Sequence, residues 1–301
     1  MVPIREILSD QNGNLEVIRP ESLIKTPLVS VIMSVYNNEK HLKEAVKSIL
    51  NQTYTDFEFI IINDGSNDDC LDILLEYQKN NNQVLIIDQK NIGLTKSLNR
   101  GIQLARGKYI ARQDADDKSL PERLEKQVQF LEANPDYFLI GADYKIIDEF
   151  SNVIGKPEIP VPIDNYEIKA AINKYNAFIH SLVMFRNDTN SMGYLYDTSY
   201  KYSQDYELWI RILEHHNGYN LPEVLGLSRT WPKAISQKKI KIQRRYALRV
   251  KKQIMLKHIT NIGFWHYLLK DLSVVYLPKW TRRVYRRLKT LYQSKNNILS
   301  I

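Results

Sequence analysis

The feature that most limits how this chain can fold is a series of short β-branched runs separated by helical patterns. Leu28-Val-Ser-Val-Ile-Met-Ser-Val35, Phe57-Glu-Phe-Ile-Ile-Ile62, Val84-Leu-Ile-Ile87 and Tyr109-Ile-Ala111 are apolar and of strand length. Between them, Glu39 to Leu50 places Leu42, Ala45, Val46 and Ile49 on one helical face, and Leu71 to Tyr77 and Leu94 to Ala105 read as two more helices. Strands alternating with helices imply an α/β fold, a mostly parallel sheet flanked by helices. Ligands of such sheets sit beyond the carboxyl ends of the strands. Three polar segments fall there: Tyr36-Asn37, Asp64-Gly65-Ser66 and Asp114-Ala-Asp-Asp117.

The last of these carries the most chemistry. Three carboxylates in four positions repel one another unless a cation lies between them. Side-chain direction alternates along a strand, so Asp114 and Asp116 leave the chain on the same side. Two hard oxygen donors suit Mg2+ or Mn2+, completed by phosphate oxygens of a substrate. By itself the pattern also fits a solvated acidic turn before the helix that Leu120-Pro121-Glu122 opens. Asp64-Gly65-Ser66 and Asn91-Ile-Gly93 likewise fit plain turns. Their convergence on one sheet edge favours a nucleotide pocket, with Tyr36 near the base, Asp64 accepting from a base or ribose donor, and the cation on a diphosphate.

Composition narrows the class further. Cys70 is the only cysteine, which excludes an internal disulfide and a thiolate metal cluster. No window approaches 18 uncharged apolar residues and the first 14 residues hold no apolar core, so neither a spanning helix nor a signal peptide is expected. The net charge of +8 is unevenly spread: residues 233–301 hold 18 Lys and Arg against one acid, Asp271, a net of +17, which leaves −9 on residues 1–232. Within that tail Ile242, Tyr246, Val250 and Ile254 recur every four residues. Trp280, Val284, Leu288 and Leu291 form a second stripe among Arg282, Arg283, Arg286, Arg287 and Lys289. Helices of this kind suit an anionic membrane surface, with a helical appendage docked on the body as the alternative. The acidic body and the lack of a nucleic-acid motif argue against a nucleic-acid arm.

Four blocks together carry a resemblance. Val29-Ser-Val-Ile-Met-Ser-Val-Tyr-Asn37, Asn63-Asp-Gly-Ser66, Asn91-Ile-Gly-Leu-Thr-Lys-Ser-Leu-Asn-Arg-Gly101 and Gly107-Lys-Tyr-Ile-Ala-Arg-Gln-Asp-Ala-Asp-Asp117 resemble family 2 glycosyltransferases of the GT-A fold, over about Leu28 to Ser236. The resemblance implies an inverting transfer of a hexosyl or N-acetylhexosaminyl group from a nucleotide-diphospho-sugar, a UDP-sugar foremost, to an acceptor hydroxyl. It implies that Val35, Tyr36, Asn37, Asp64, Gly65, Ser66, Lys96, Asp114 and Ala115 bind the nucleotide, and that Asp114 and Asp116 hold Mn2+ or Mg2+.

Asn176-Ala-Phe-Ile-His-Ser-Leu-Val-Met-Phe-Arg186 resembles the segment before the acceptor site, where His180 is either a pocket residue or a hydrogen-bonded structural one. Tyr202-Ser-Gln-Asp-Tyr-Glu-Leu-Trp209 resembles the acidic segment that carries the catalytic base, which puts that role on Asp205, beside Gln204. Asp205 is also suited to a helix start, with Ser203 as N-cap and Leu208, Trp209 and Ile212 buried. Three positions depart from the family pattern: Asn63 where Asp is common, Leu98 where Arg is common (Lys96 then supplying the charge), and Trp231 in place of the His of an Arg-x-His. An indole nitrogen only donates, so Arg229 or Lys233 is expected to hold the phosphates.

The expected organisation is a loosely docked lead-in (1–27), a GT-A domain (28–236) and a basic helical tail (237–301). The tail is expected to hold a cytoplasmic enzyme on the inner face of a membrane, where it acts on a glycan or lipid-linked acceptor in cell-surface polysaccharide or glycolipid synthesis. A nucleotidyltransferase, or a nucleotide-sugar-binding protein without activity, is the rival reading.

Overall fold

The structure is a computed structural model that describes residues 4–10, 13–19, 26–188, 193–231 and 239–254, with residues 265, 268, 269, 271, 272, 275 and 276 of the tail. The first part of the chain runs β1 (Ile4–Asp10), β2 (Gly13–Arg19), β3 (Val29–Val35), α1 (Glu39–Leu50), β4 (Phe57–Asp64), α2 (Cys70–Asn80), β5 (Val84–Gln89), α3 (Leu94–Leu104) and β6 (Tyr109–Asp114). Strands β5, β4, β3 and β6 lie side by side in that order and pair in parallel. Alternate residues of β4 enter opposite cores. Ile60 and Ile62 pack with Ile32, Leu98 and Ile102 under α3, whereas Phe59 and Ile61 pack with Met33, Leu42, Val46 and Leu74 under α1 and α2. All eight β4 residues are buried, and its centre, Phe59 to Ile62, is accordingly apolar at every position instead of alternating.

The second part adds β7 (Lys118–Ser119), α4 (Arg123–Ala133), β8 (Tyr137–Ile147), β9 (Val153–Gly155), α5 (Asn165–Ile172), β10 (Met184–Arg186), α6 (Gln204–His215) and β11 (Asn217–Arg229). Short β10 is antiparallel to both β6 and β8, and β11 then runs parallel to β8. The sheet order is β1-β2-β5-β4-β3-β6-β10-β8-β11-β7, with β9 paired to β8. This is the mostly parallel, helix-flanked sheet of the GT-A fold. Its last long strand ends at Arg229, whose backbone N–H donates to Asp117 Oδ1 at 2.6 Å. The end of β11 is thereby brought to the end of β6.

Two outer segments differ from their sequence reading. Residues 4–19 do not form a loose lead-in: β1 and β2 make a hairpin, and β2 pairs antiparallel with β5 from Leu15↔Gln89 to Ile18↔Ile86. The hairpin covers what would be an unpaired edge, and Val17 is fully buried in the core. In the tail, α7 (Ile240–Ile254) carries the first apolar stripe, and part of it is used on the body. Val250 is buried, Tyr246 packs 5.9 and 5.7 Å from the rings of Tyr200 and Tyr202, and Arg249 lies 4.3 Å over the Tyr200 ring. Ile242 of the same stripe stays exposed. The second stripe, at Trp280, Val284, Leu288 and Leu291, lies outside the described residues. Among the described residues no helix is long and apolar enough to cross a membrane.

Candidate active site

The loops after β3, β4 and β5 are tied into one surface by side chains of the polar blocks. Asn37 takes a left-handed conformation (φ 50°), which its short amide side chain tolerates. Its N–H donates to Ser66 Oγ at 3.1 Å, and its Oδ1 accepts from Asn67 N at 2.8 Å. Asp64 is buried and its carboxylate faces inward. Oδ1 accepts from Gln89 Nε2 (2.8 Å) and Ile92 N (2.9 Å), and Oδ2 accepts from Gly93 N (2.9 Å). The expectation that Asp64 meets a base or ribose donor is thus met only by the remaining capacity of Oδ2. Its main work is to build the Asn91–Gly93 turn. Gly65, at φ +71°, sits so close to that turn that a Cβ would lie 2.6 Å from Asn91 N. Gly65 and Ser66 line a shallow depression of about 670 Å³ with Asn63, Asp88 and Asn91.

A second cleft, of about 700 Å³, gathers the chemistry. It is lined by Lys96, Asp114, Asp116, Asp117, His180, Gln204, Asp205 and Arg229, together with Lys201, Tyr202 and Gln243, and it shares Asn91 with the first depression. Val35, Tyr36, Asn37, Asp64 and Ala115 line neither. Val35 and Ala115 are buried in the core, and Tyr36 is exposed at the end of β3.

The three carboxylates after β6 have three different environments. Asp114 Oδ1 accepts from Arg112 Nη2, a guanidinium buried beneath the strand end. Burial acts to raise the Asp114 carboxyl, but Arg112, with His180 and Arg123 behind it, holds the group below the ordinary carboxylate range. Asp116 Oδ2 accepts from Trp231 Nε1 at 3.1 Å. Its carboxyl is pushed up, first by burial and then by the charge of Asp114. Asp117 turns away from the other two, and both its oxygens are taken, by Ser181 Oγ and Arg229 N. Burial, then Asp116 and Asp114, push Asp117 well above the carboxylate range. Asp114 and Asp116 thus line one cleft, although β6 ends at Asp114 and Asp116 lies in the turn beyond it, past any strand alternation; Asp117 is a structural tie.

The donor set fits a hard divalent cation. Asp114 and Asp116 each have one oxygen that accepts from a side-chain donor and one that does not, and Asp116, raised first by burial and then by the charge of Asp114, would gain from a cation beside it. Among the described residues no cluster of three His, Cys, Asp or Glu side chains completes a site. A cation held here would draw its other ligands from substrate phosphate and water.

Arg229 does not face a phosphate as expected. Its guanidinium is fully buried, pairs with Glu44 Oε2 at 2.6 Å, and donates to the carbonyls of Asp116 (2.8 Å) and Asp148 (2.9 Å). Arg229 braces the acidic turn from behind. Lys233 lies outside the described residues. The cations that do reach the cleft are Lys96, exposed in the first turn of α3, and Lys201.

Asp205 stands in the first turn of α6 and lines the cleft; its Oδ2 accepts from Asn176 Nδ2 at 2.7 Å. Leu208, Trp209 and Ile212 are buried as expected. Ser203 is not a cap: it is left-handed (φ 56°), and its Oγ donates instead to the Gln243 carbonyl of α7 at 3.2 Å. His180 combines both of its readings, because it lines the cleft while its Nε2 meets the Tyr196 hydroxyl at 2.8 Å. Burial, helped by Arg112, pulls its pKa down to about 4, so near neutral pH it is an uncharged ring.

The other departures have local causes. Asn63 Nδ2 donates to Asp88 Oδ1 at 2.7 Å, where an Asp would set two carboxylates face to face. Leu98 is completely buried on α3, where an Arg would have no solvent. Arg112, Asn176, Lys201 and Gln243 escaped the sequence reading. Arg112 and Asn176 lay within quoted blocks, but Gln243 sits in a tail read as an anchor.

A GT-A sheet with an acidic strand end and a second carboxylate across one cleft defines the class. Residues 30–192 match the family described as Glycosyl transferase family 2. An uncharacterized glycosyltransferase of Methanocaldococcus jannaschii is 36% identical over 83% of this chain and 88% of its own length. The O-antigen biosynthesis glycosyltransferase WbnJ of Escherichia coli is 36% identical over 62% of this chain and 72% of its length. The chain belongs to glycosyl transferase family 2. Among solved structures, S. aureus TarS in complex with UDP-GlcNAc superposes with a TM-score of 0.63 at 16% identity, over 82% of this chain and 72% of TarS. The mannosyltransferase PcManGT of Pyrobaculum calidifontis, in complex with GDP-Man and Mn2+, gives 0.56 at 16% identity, over 84% and 71% of the two chains.

Proposed function

We propose that this protein transfers a sugar, with inversion, from a nucleotide-diphospho-sugar to a hydroxyl of a surface polysaccharide or glycolipid acceptor. The observation that carries this reading is the single cleft holding Asp114 and Asp116 on one element and Asp205 on another. The depression at Gly65 and Ser66 adjoins it through Asn91, so a nucleoside in the first and a diphosphate-sugar in the second form a continuous donor site. The UDP-GlcNAc and GDP-Man of the similar structures support a donor of that class, and the O-antigen role of WbnJ supports the acceptor.

Asn176 fixes one oxygen of Asp205 and leaves the other for the acceptor O–H. As the acceptor oxygen bonds to the anomeric carbon, its proton passes to Asp205, and the bond to the diphosphate breaks on the opposite face. Lys96 stands where it can take part of the charge released on the diphosphate. Asp114 and Asp116 would hold a Mn2+ or Mg2+, which when bound would supply Lewis-acid stabilisation of that leaving group. His180, neutral and bound to Tyr196, positions the wall between the two carboxylate sites and carries no charge of its own.

The test is Asp205→Asn, which keeps the Asn176 side chain a partner and removes the proton acceptor. Transfer should fall by ~10²–10⁴-fold with donor binding retained. Unchanged transfer would sink the base assignment, and lost donor binding would make Asp205 a donor-site residue instead.

A further inference from the structure

The carboxylates that face the cleft are not free chelators. Asp114 gives Oδ1 to Arg112, and Asp116 gives Oδ2 to the Trp231 indole, so each keeps one uncommitted oxygen. Three buried guanidiniums, Arg112, Arg123 and Arg229, lie behind the acidic turn, the last of them paired with Glu44. The Arg112 guanidinium bonds Asp114, that of Arg229 donates to the Asp116 carbonyl while the Arg229 backbone N–H donates to Asp117 Oδ1, and Arg123 donates to the Arg112 carbonyl at 2.8 Å. A dication entering alone therefore finds one oxygen without a side-chain donor on each of the two carboxylates. The indole is firmly held: its ring meets the edge of buried His41 on α1 at 5.0 Å, and Arg229, two residues earlier, is locked to Glu44 of the same helix.

We propose that Trp231 makes cation uptake conditional on the nucleotide, by holding Asp116 Oδ2 through its N–H and so withholding that oxygen from the metal. A nucleoside diphosphate supplies the further ligands, phosphate oxygens, that the described residues do not. Donor and cation then enter together, and the nucleotide-free protein stays largely metal-free. Trp231 is a positioning residue in this scheme, acting through Asp116. The inference rests on the Asp114/Asp116 cation site of the preceding section, and the experiment separates the two.

Free Mn2+ is titrated by its electron paramagnetic resonance signal against the full chain, with and without UDP, for wild type, Trp231→Phe and Trp231→His. Unfolding curves for each confirm the fold. In the wild type, UDP should tighten Mn2+ binding at least tenfold. Trp231→Phe keeps a ring against His41 but frees Asp116 Oδ2, so nucleotide-free affinity should rise about threefold or more. Trp231→His offers a ring nitrogen as a further ligand, and nucleotide-free affinity should rise at least tenfold, shrinking the UDP effect. Equal Mn2+ affinity with and without UDP in the wild type, or no gain in folded Trp231→Phe, overturns the inference while leaving the cation site in place. No Mn2+ binding by the wild type even with UDP overturns both.

Discussion

The sharpest mechanical prediction concerns Asp271, the one acid of the basic tail. Its side chain is 1% exposed and meets two cations: Lys251 Nζ at 2.7 Å, itself 2% exposed, and Arg244 Nη1 on the same face of α7. That helix contributes Gln243 to the cleft wall and accepts the Ser203 hydrogen bond just before Asp205. Replacing Asp271 by Asn removes one charge from a buried pair, a change that costs ~3–5 kcal/mol when the partner is equally buried. The Arg244 arm, 37% exposed, adds at most ~1 kcal/mol. Taking ~3 kcal/mol, the ratio of docked to undocked α7 falls about 100-fold, since ~1.4 kcal/mol is a factor of ten. Hydrogen exchange read by mass spectrometry should show the amides of 244–254 exchanging up to ~100-fold faster, while peptides covering β4 hold their protection. A double change to Met at 251 and Leu at 271 should restore most of it. Unchanged exchange in α7, or acceleration spread evenly over β4, would refute the latch.

Three further outcomes follow from the site. Gly65→Ala puts an L side chain at φ +71° and a Cβ 2.6 Å from Asn91 N; it should cost ~1–2 kcal/mol in urea unfolding and weaken UDP binding, and full UDP affinity would contradict the role given to the turn. Asn63→Asp exchanges the 2.7 Å bond to Asp88 for a carboxylate pair; the variant should lose ~1–3 kcal/mol at pH 7 and recover part of it on acidification, whereas Asn63→Ala should show no such recovery. His180, with a folded pKa of about 4 against 6.5 unfolded, leaves the unfolded chain binding the extra proton between those values. Its contribution is intact above pH 6.5 and is lost as pH falls toward 4, at most ~3 kcal/mol. His180→Gln should flatten the stability slope in that window, and an unchanged slope would mean the proton goes elsewhere, His41 being the other histidine whose pKa is drawn down to about 4.

The parallel sheet was legible because its evidence is local. Continuous apolar runs such as Phe57 to Ile62, punctuated by helical periodicity, have no other common solution, and the polar residues after them fall at strand ends by arithmetic. The division of labour within Asp114–Asp117 was legible only in part. Alternation set Asp114 and Asp116 on one side, where it is the turn after β6 that brings Asp116 to the cleft, and nothing local says that Asp117 will be claimed by Ser181 and by Arg229, 112 positions away. The same distance hid Arg229 itself: an arginine near a phosphate site in sequence reads as a phosphate ligand, and only the return of β11 to the end of β6 shows its guanidinium committed to Glu44 and to backbone carbonyls.

The tail shows where pattern reading reaches its limit for a physical reason. An amphipathic stripe reports that one helical face must leave water, and it is silent on what covers that face: lipid, another chain or the protein's own body. Ile242, Tyr246, Val250 and Ile254 satisfy all three descriptions equally. The discriminating residue was not in the stripe. A single carboxylate among 18 cations gains little on a solvated basic surface, and it is costly in an anionic lipid interface, where it repels the headgroups. It gains most where cations can close on it away from water, as Lys251 and Arg244 close on Asp271. The odd charge in a biased segment, weighed for where it can be stable, points to a tail that closes on itself away from water, which periodicity alone cannot show.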